Sequence, residues 1–120
     1  MVNQWPGVPA KCLCDKHLNA VLSETTNLLL PSMRKGHKIT NYVKHGCVDV
    51  INISNRVAEC IVEARSRGHT WKYAPLTKDD ENLVFTYMEE ALACDREERT
   101  EMNKRILAFR CPECRKRILE

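Results

Sequence analysis

The sequence predicts an all-α fold. Three segments carry apolar residues at the three- and four-residue spacing of amphipathic helices, and the loops between them are basic or contain proline. This pattern does not favour β-strands. At 120 residues, of which 43% are apolar and 29% charged, the chain has the balance of an ordinary globular domain with a modest core. We therefore expect residues 1–120 to form a compact single domain of three main helices.

The first helix is predicted over residues 15–30. Asp15 can accept hydrogen bonds from the free amides of its first turn, and Pro31 is expected to end it. A stripe of apolar or small residues runs along its length: Leu18, Val21, Leu22, Thr25, Leu28 and Leu29. This stripe should face the core.

The second helix is predicted over residues 48–67. One face carries a continuous apolar stripe: Val50, Ile53, Val57, Ile61 and Ala64. Gly68 follows, and glycine is the residue that most readily adopts the left-handed conformation at the end of a helix. The long apolar stripe makes this helix the central one of the predicted fold.

The third helix is predicted to open at Thr77, which with Asp80 resembles a capping box with Asp in place of the usual Glu. Its buried face is expected to comprise Leu83, Val84, Tyr87, Met88, Ala91 and Leu92. The helix either continues through the charged segment that follows or breaks near Cys94 and Asp95. The apolar spacing resumes beyond that point, at Met102, Ile106 and Phe109.

Seven cysteines are many for a chain of this length. Their number is odd, and the N-terminus lacks the basic region and apolar block of a signal peptide. Both features argue against a disulfide framework and favour free thiols or metal ligands in a reducing, cytoplasmic compartment. No apolar run is long enough to span a bilayer, so no membrane partner is expected.

The C-terminal segment 110–120 is basic and contains a Cys-Pro-Glu-Cys motif. Two thiolates separated by two residues form half of a typical zinc site, and a second pair of cysteines precedes the first helix. The predicted ligands of a structural zinc, which would tie the tail to the first helix, are Cys12, Cys14, Cys111 and Cys114. His17 can replace one of them, and free thiols are the alternative. The remaining cysteines are expected in the core: Cys47, Cys60 and Cys94.

The formal net charge is +3, and the charges are segregated along the chain. Basic residues cluster over residues 34–45 and 110–117, whereas acidic residues concentrate over residues 79–101. The basic clusters favour contact with the phosphates of nucleic acid, and solvated loops are the alternative. Trp71, next to cations, suits either stacking on an exposed base or packing on the core. The residues predicted to contact DNA are Lys16, His17, Arg34, Lys35, Lys38, Lys44, Trp71 and Lys72.

Glu24 is the only acidic residue between Asp15 and Asp49 and lies within the apolar first helix. It follows His17 by seven residues, which is two helical turns, so both lie on one face beside the apolar stripe. Partial burial at such a boundary raises the pKa of a carboxyl group toward the range useful for general acid–base catalysis. The alternative is a structural ion pair with a nearby cation.

The stretch LCDKHLNAVLSETTNLL resembles the first-helix signature of the pyrimidine-dimer DNA glycosylases, the endonuclease V type of ultraviolet-damage repair enzyme found in phages and some bacteria. In that signature a Leu, a small residue and two polar residues precede His-Leu, and an essential Glu follows seven residues after the His. The matching residues are Leu13, Cys14, Asp15, Lys16, His17, Leu18 and Glu24. A second stretch, VAECIVEARSRGHTWKYAPL, is similar to the family's second helix and the loop after it. The two matches lie within residues 1–76.

The resemblance implies an enzyme that is both a DNA glycosylase and an abasic-site (AP) lyase. In this family the α-amine of the chain, exposed by removal of the initiator Met, attacks the sugar C1′ of a damaged nucleotide and forms a Schiff base. Here the nucleophile would be the amine of Val2 and the acid–base group Glu24. An α-amine suits this role because its pKa, about 7.7–8.0, leaves a useful fraction unprotonated at neutral pH. We further expect double-stranded DNA as partner, no catalytic cofactor, and a cytoplasmic monomer of phage or bacterial origin.

Three positions depart from the family pattern. The Arg that usually precedes the catalytic Glu is Ser23, the basic residue often found three positions after it is Asn27, and the acidic residue three positions before it is Val21. A different lesion or a modified base is therefore an alternative to the pyrimidine dimer. A non-catalytic DNA-binding module, or a zinc-organised interaction protein on the same helical scaffold, is the alternative to the enzyme.

Overall fold

A computed structural model describes residues 2–89 and 96–120, and of residues 96–98 the backbone only. Its elements are a 3₁₀ turn at Ala10–Cys12, α1 at Asp15–Glu24, a π-helical turn at Thr25–Leu29, α2 at Leu30–Arg34, α3 at Thr40–Lys44, a 3₁₀ turn at Val50–Asn52, α4 at Ile53–Ser66, α5 at Lys78–Phe85, α6 at Arg96–Arg110 and α7 at Pro112–Leu119. The described residues contain no strand, which confirms the all-α prediction. The three predicted helices correspond to α1, α4 and α5, and a C-terminal pair, α6 and α7, is added to them.

The first helical path continues beyond Pro31, so the prediction that this proline ends it is wrong. The amide of Leu30 donates to the carbonyl oxygen of Thr25, five residues back, which is the π-helical pattern. Proline has no amide hydrogen, and in an α-helix its ring clashes with the carbonyl group four positions earlier. The π turn accommodates Pro31 in the first turn of α2, and the path runs on to Arg34.

The π turn also changes which residues of this path are buried. Within α1 the predicted stripe is confirmed, and its buried members are Leu18, Val21 and Leu22. The extra residue in the π turn rotates the positions that follow it. Leu28 is therefore 48% exposed, contrary to the prediction, while burial continues at Leu29 and Met33.

The central helix is α4, as predicted, although it begins at Ile53 rather than at residue 48. It packs against α1 and both 3₁₀ turns. Its buried apolar side chains are Ile53, Val57, Cys60, Ile61 and Ala64. The helix ends in a Schellman motif, in which the amide of Gly68 donates to the Arg65 carbonyl and the amide of His69 donates to the Ala64 carbonyl. Gly68 has φ +84°, the left-handed conformation predicted for it.

The start of α5 is as predicted, because the hydroxyl oxygen of Thr77 accepts a hydrogen bond from the Asp80 amide at 3.2 Å. The helix ends at Phe85, earlier than either predicted alternative. On its predicted inner face Val84 is buried, and the half-buried residues are Leu83, Tyr87 and Met88. The other predicted positions, Ala91, Leu92, Cys94 and Asp95, lie outside the described residues.

The buried face of α6 differs from the apolar spacing of the sequence, of which only Ile106 is half-buried. Met102 and Phe109 are 42% and 87% exposed, whereas the buried face comprises Arg99, Asn103 and Leu107. Polar side chains face inward here because their partners include backbone groups. The side-chain amide of Asn103 donates to the carbonyl oxygens of Pro6 and Gly46, both at 3.1 Å.

The buried side chains form two clusters. The first packs α1 against α4 and the C-terminal helices, and the second packs α2, α3 and α5 together around Ile53. Cys47 and Cys60 are buried, as predicted. In the described ranges no helix has both the length and the apolar character that a bilayer crossing requires.

Candidate functional site

Two arginines hold the N-terminal segment, residues 2–13, against the helices. Arg56 of α4 is 6% exposed and donates at 2.9, 3.1 and 2.6 Å to the carbonyl oxygens of Gln4, Trp5 and Val8. Arg67, just after α4, donates to the carbonyl oxygens of Ala10, Lys11 and Leu13. These bonds supply donors to backbone carbonyl groups of the segment, two of which, those of Trp5 and Ala10, also accept from the amides of Val8 and Leu13. The N-terminal segment is therefore docked along its length.

Glu24, the last residue of α1, lies beside this segment. Its Oε1 accepts a hydrogen bond from the amide of Asn3 at 3.0 Å. The side-chain amide of Gln4 donates to the hydroxyl oxygen of Thr25 at 2.7 Å, immediately after Glu24. Among the described residues Glu24 forms no ion pair, so the predicted structural pair with a cation is not what holds it. We call these residues the Glu24 group: Asn3, Gln4, Glu24 and Thr25.

Val2, the other predicted catalytic residue, adjoins the Glu24 group. The residue is 1% exposed, and its side chain belongs to the second hydrophobic cluster. The next residue but one, Gln4, is fixed by a hydrogen bond from its backbone amide to the Cys47 carbonyl at 2.8 Å. The Glu24 carboxylate therefore binds the backbone nitrogen of Asn3, which is one residue along the chain from the backbone nitrogen of Val2.

Four potential metal ligands meet between the starts of α1 and α7, and we call them the Cys3His group: Cys14, His17, Cys111 and Cys114. Their ligand atoms all lie within 4.8 Å of one another. The sulfurs of Cys14 and Cys111 are 3.8 Å apart, and Nδ1 of His17 is 3.1 and 3.3 Å from the sulfurs of Cys14 and Cys114. Tetrahedral Zn–S bonds of about 2.3 Å place two sulfurs about 3.8 Å apart. The group can therefore hold a metal ion of this size.

The two halves of the Cys3His group are built alike. Cys14 immediately precedes α1 and His17 follows three residues later, and Cys111 and Cys114 have the same relation to α7. The amide of Cys114 donates to the sulfur of Cys111 at 3.4 Å, and the amide of Cys14 donates to the sulfur of Cys114 at 3.3 Å. Backbone amides at the two helix starts thus point at sulfur atoms, which favours the thiolate form.

The predicted ligand set needs one correction, because Cys12 is not a member of the group and His17 takes its place. Cys12 belongs to the 3₁₀ turn, and its side chain is buried in the first hydrophobic cluster. The available signal was the Cys-x-x-His spacing of Cys14 and His17, which repeats the Cys-x-x-Cys spacing of the C-terminal pair. The other three predicted cysteines are brought together.

The charge states of the group depend on burial and on local donors. Burial lowers the pKa of His17, and the nearby Lys16 cation lowers it further; both favour the neutral imidazole, which is the form that binds metals. Burial raises the pKa of Cys114 to about 12. Burial also acts to raise the pKa of Cys111, but hydrogen bonds from the Cys114 amide and from neighbouring thiols hold it below the ordinary value. A bound cation would deprotonate all three thiols.

Trp5 lies between the Glu24 group and the Cys3His group. It has φ +49°, which is uncommon for a bulky residue, and its amide donates to the side-chain oxygen of Asn3 at 2.8 Å. Its indole meets the ring of His17 edge to face, with centroids 5.9 Å apart. Backbone strain of this kind persists only where the surrounding structure imposes it, and it clusters at functional sites.

Most of the predicted DNA contacts are exposed cations: Lys16, Lys35, Lys38, Lys44 and Lys72. Arg34 is half-exposed and forms an ion pair with Asp80 at 2.8 Å. His17 directs Nδ1 into the Cys3His group instead of toward solvent. Trp71 stacks on His69 with ring centroids 4.2 Å apart and packs on the first hydrophobic cluster, which is the core-packing alternative of its two predicted roles.

Sequence reasoning missed the residues that dock the N-terminal segment, namely Arg56, Arg67 and Asn103. A signal existed for Arg56, because it adjoins Val57 on the buried stripe of the central helix. A charged residue at such a position requires buried partners. For Asn103 the pattern of α6 held no comparable signal.

Comparison of the chain with protein-family models, with curated proteins and with solved structures gave no match. The chemistry of the Glu24 group and of the Cys3His group is therefore the basis for inferring a function.

Proposed function

We propose that this protein is a DNA glycosylase and AP lyase that acts on a damaged pyrimidine. Its nucleophile is the α-amine of Val2, exposed by removal of Met1, and its acid–base group is Glu24. The observation that supports the proposal is the 3.0 Å hydrogen bond from the Asn3 amide to Glu24, one peptide unit from that amine. Met1 itself lies outside the described residues.

The two groups supply the required chemistry. The amine lone pair attacks C1′, the glycosidic bond breaks, and the base leaves with the bonding electrons and takes up a proton. The nitrogen, having lost a proton, then expels O4′ from C1′; O4′ takes up a proton, the sugar ring opens, and an iminium ion forms at C1′. This iminium ion makes the C2′ proton acidic. Transfer of that proton to the Glu24 carboxylate expels the 3′ phosphate and cleaves the strand. The same carboxylate stabilises the positive charge that develops on the sugar.

The docking of residues 2–13 fits this role. A nucleophile at a free chain end reacts efficiently only when the chain end is held in place, since positioning supplies a large part of the rate. Arg56 holds three carbonyl oxygens of the segment, and Gln4 is bonded through both its backbone and its side chain. Only the amine itself would then have freedom to reach the sugar.

The partner we propose is double-stranded DNA, bound by a monomer through the exposed lysines of α1, of the 34–45 segment and of the loop after α4. Contacts of lysine with phosphate supply affinity that falls steeply as the salt concentration rises. The proposed setting is the reducing cytoplasm of a bacterium, where a phage or bacterial repair enzyme acts and free thiols persist.

For the Cys3His group we propose a structural Zn²⁺. Three thiolates and one imidazole complete a tetrahedron and leave no position open for a substrate. The ion would fasten α7 to the start of α1, and the amine chemistry needs no further cofactor. A closed zinc site also favours the rival function, a zinc-organised DNA-binding or interaction module without catalysis.

Borohydride trapping tests the enzyme directly, because borohydride reduces a Schiff base to a stable adduct. Tag-free protein, with loss of Met1 confirmed by mass spectrometry, is incubated with ultraviolet-irradiated, abasic and undamaged duplexes. We expect a covalent adduct on the irradiated and abasic duplexes. Chemical acetylation of the N-terminus should abolish it.

Glu24→Gln should abolish strand cleavage and leave DNA binding nearly unchanged. The matched control Glu101→Gln, at an exposed acid on α6, should leave both cleavage and binding unchanged. An adduct on abasic DNA alone would keep the lyase and remove the pyrimidine dimer as substrate. No adduct on any duplex from Met1-free protein would overturn the enzyme and leave the binding module.

A further inference from the structure

A cavity of about 440 Å³ lies between the N-terminal segment, the start of α4 and the first turns of α6. Its lining includes two buried arginines, Arg56 and Arg99, and the side chains of Asp49, Asn52, Asn55 and Glu59. Gly7 lines the same cavity, and a Cβ at this position would collide with the hydroxyl of Thr100. The glycine therefore allows the N-terminal segment to approach α6 closely enough to form one wall.

The two arginines differ in how many of their N–H donors have a hydrogen-bond acceptor. Arg56 donates to three carbonyl oxygens and to the carboxylate of Glu59 at 3.0 Å. Arg99 is 4% exposed and donates to Asp49 at 3.2 Å, and its Nε is buried without an acceptor among the described residues. A guanidinium carries five N–H donors, and a buried donor left unpaired costs about 1–3 kcal/mol. Arg99 is thus a buried cation that lines the cavity and whose Nε–H donor has no acceptor in the part of the chain that the structure describes.

The charges around the cavity indicate which charge a ligand bound there would carry. Glu59 compensates Arg56, while Asp49 is shared between Arg99 and the side-chain amide of Asn52, which donates to it at 2.8 Å. Among the residues described around the cavity, the buried group left without a hydrogen-bond partner is therefore a donor, the Nε–H of Arg99, and it belongs to a cation. Planar guanidinium groups bind carboxylate and phosphate oxygens through paired hydrogen bonds.

We propose that this cavity binds a small oxyanion, the carboxylate or phosphate group of a ligand, through the guanidinium of Arg99. Asn55, exposed at the third position of α4, lies at the cavity and supplies an additional amide donor. The cavity shares Gln4 with the Glu24 group and no residue with the Cys3His group, and its proposed ligand does not depend on the glycosylase activity.

The test is a titration of ¹⁵N-labelled, zinc-loaded protein with sodium phosphate and, in a second arm, with sodium acetate. Sodium chloride keeps the ionic strength constant and serves as the blank. The Nε–H signal of Arg99, assigned by its loss in Arg99→Lys, should shift in a saturable manner with at least one of the two anions. The arm that saturates identifies the oxyanion class.

Asn55→Asp keeps the proposal testable even if Arg99→Lys does not fold. An acidic residue in the first turn of a helix is favourable, so the fold should persist, while a second negative charge at the cavity should weaken anion binding at least about tenfold. The control is Arg105→Lys, an exposed position on α6 that should bind normally. Saturable binding unaffected by Asn55→Asp, or no shift with either anion, would overturn the proposal and leave water as the acceptor for Arg99. DNA is absent from the titration, so its result is independent of strand cleavage.

Discussion

The Cys3His group and the Glu24 group lie at opposite ends of α1 and are held in different ways. The Cys3His group joins residues 97 positions apart, and its thiols need a cation to become ligands. The Glu24 group joins residues 21 positions apart through hydrogen bonds, supported by one buried guanidinium. We therefore expect removal of the metal to disrupt the Cys3His group and leave the Glu24 group intact. Loss of a single hydrogen-bond donor should disrupt the Glu24 group and leave the Cys3His group intact.

The largest expected effect belongs to the Glu24 group. Glu24→Gln removes the charge that stabilises the sugar cation and the base that accepts the C2′ proton, while the Asn3 amide can still donate to the remaining carbonyl oxygen. General acid–base catalysis contributes about 10²–10⁴-fold, so we expect strand cleavage to fall by about 10³-fold or more. Single-turnover cleavage of an abasic duplex measures the change, and the urea midpoint of the variant should remain near that of the parent.

The effect of bound zinc on the stability of the protein should arise mainly at the Cys3His group. Zinc that binds only the folded protein stabilises it by about 4 kcal/mol when free zinc exceeds Kd by about 1,000-fold. Cys114→Ser should abolish stoichiometric zinc, measured by elemental analysis, and lower the free energy of unfolding by a similar amount. Cys12→Ser is the matched control and should retain one zinc per chain, because Cys12 lies outside the group.

Hydrogen exchange can show whether the two ends of α1 are independent. In Cys114→Ser the amide of Cys14, which donates to the Cys114 sulfur, should exchange faster, whereas the amides of Asn3 and Gln4 should remain protected. Equal loss of protection at both ends would mean that the metal also holds the Glu24 group.

The converse test removes the guanidinium that docks the N-terminal segment. Arg56→Met keeps the length of the side chain but removes a donor from the carbonyl oxygens of Gln4, Trp5 and Val8, of which the Trp5 oxygen keeps the hydrogen bond from the Val8 amide. We expect the free energy of unfolding to fall by about 3 kcal/mol, measured in urea, with zinc stoichiometry unchanged. Arg65→Met, at an exposed position on the same helix, should have little effect. A loss of zinc in Arg56→Met would show that the two groups are coupled through Trp5.

Local patterns predicted the parts of the fold that depend on residues within a turn or two. The stripe of α1, the Thr77 cap and the Gly68 end are of this kind, because their partners are near in sequence. The buried face of α6 is not, since Asn103 bonds to carbonyl groups 97 and 57 positions away. The α6 sequence alone holds no signal for those backbone acceptors.

The candidate sites divide in the same way. For the Cys-Pro-Glu-Cys motif the sequence predicted Cys14 as a partner, with His17 as a replacement for one ligand, whereas for the isolated carboxylate it did not predict the Asn3 amide. Whether Cys12 or His17 completes the ligand set depends on a helix start, which brings Cys14 and His17 together over one turn. Likewise, the contact of Glu24 with Asn3 depends on how Arg56 of α4 docks the N-terminal segment.

The smallest expected effect concerns Asp15, in the first turn of α1 beside the Cys3His group. Hydrogen bonds from His69, the larger cause, and from Arg67 lower the pKa of its carboxyl group below 3.8. Because the pKa is lower in the folded state, the carboxylate stabilises the fold at pH values above 3.8, and this contribution is lost as the pH falls below that value. The side chain is 58% exposed, so solvent screening keeps the contribution below about 1 kcal/mol.

His69→Phe tests this cause, since it removes the donor and retains a ring to stack on Trp71. Carbon NMR of the Asp15 carboxyl group should then show its pKa rising toward 3.8. An unchanged pKa would assign the shift to Arg67, whose guanidinium donates to the same oxygen at 3.0 Å. Zinc stoichiometry should be the same in both proteins, because neither Asp15 nor His69 contributes a ligand. A change in it would show that the start of α1 is held by Asp15 as well as by the metal.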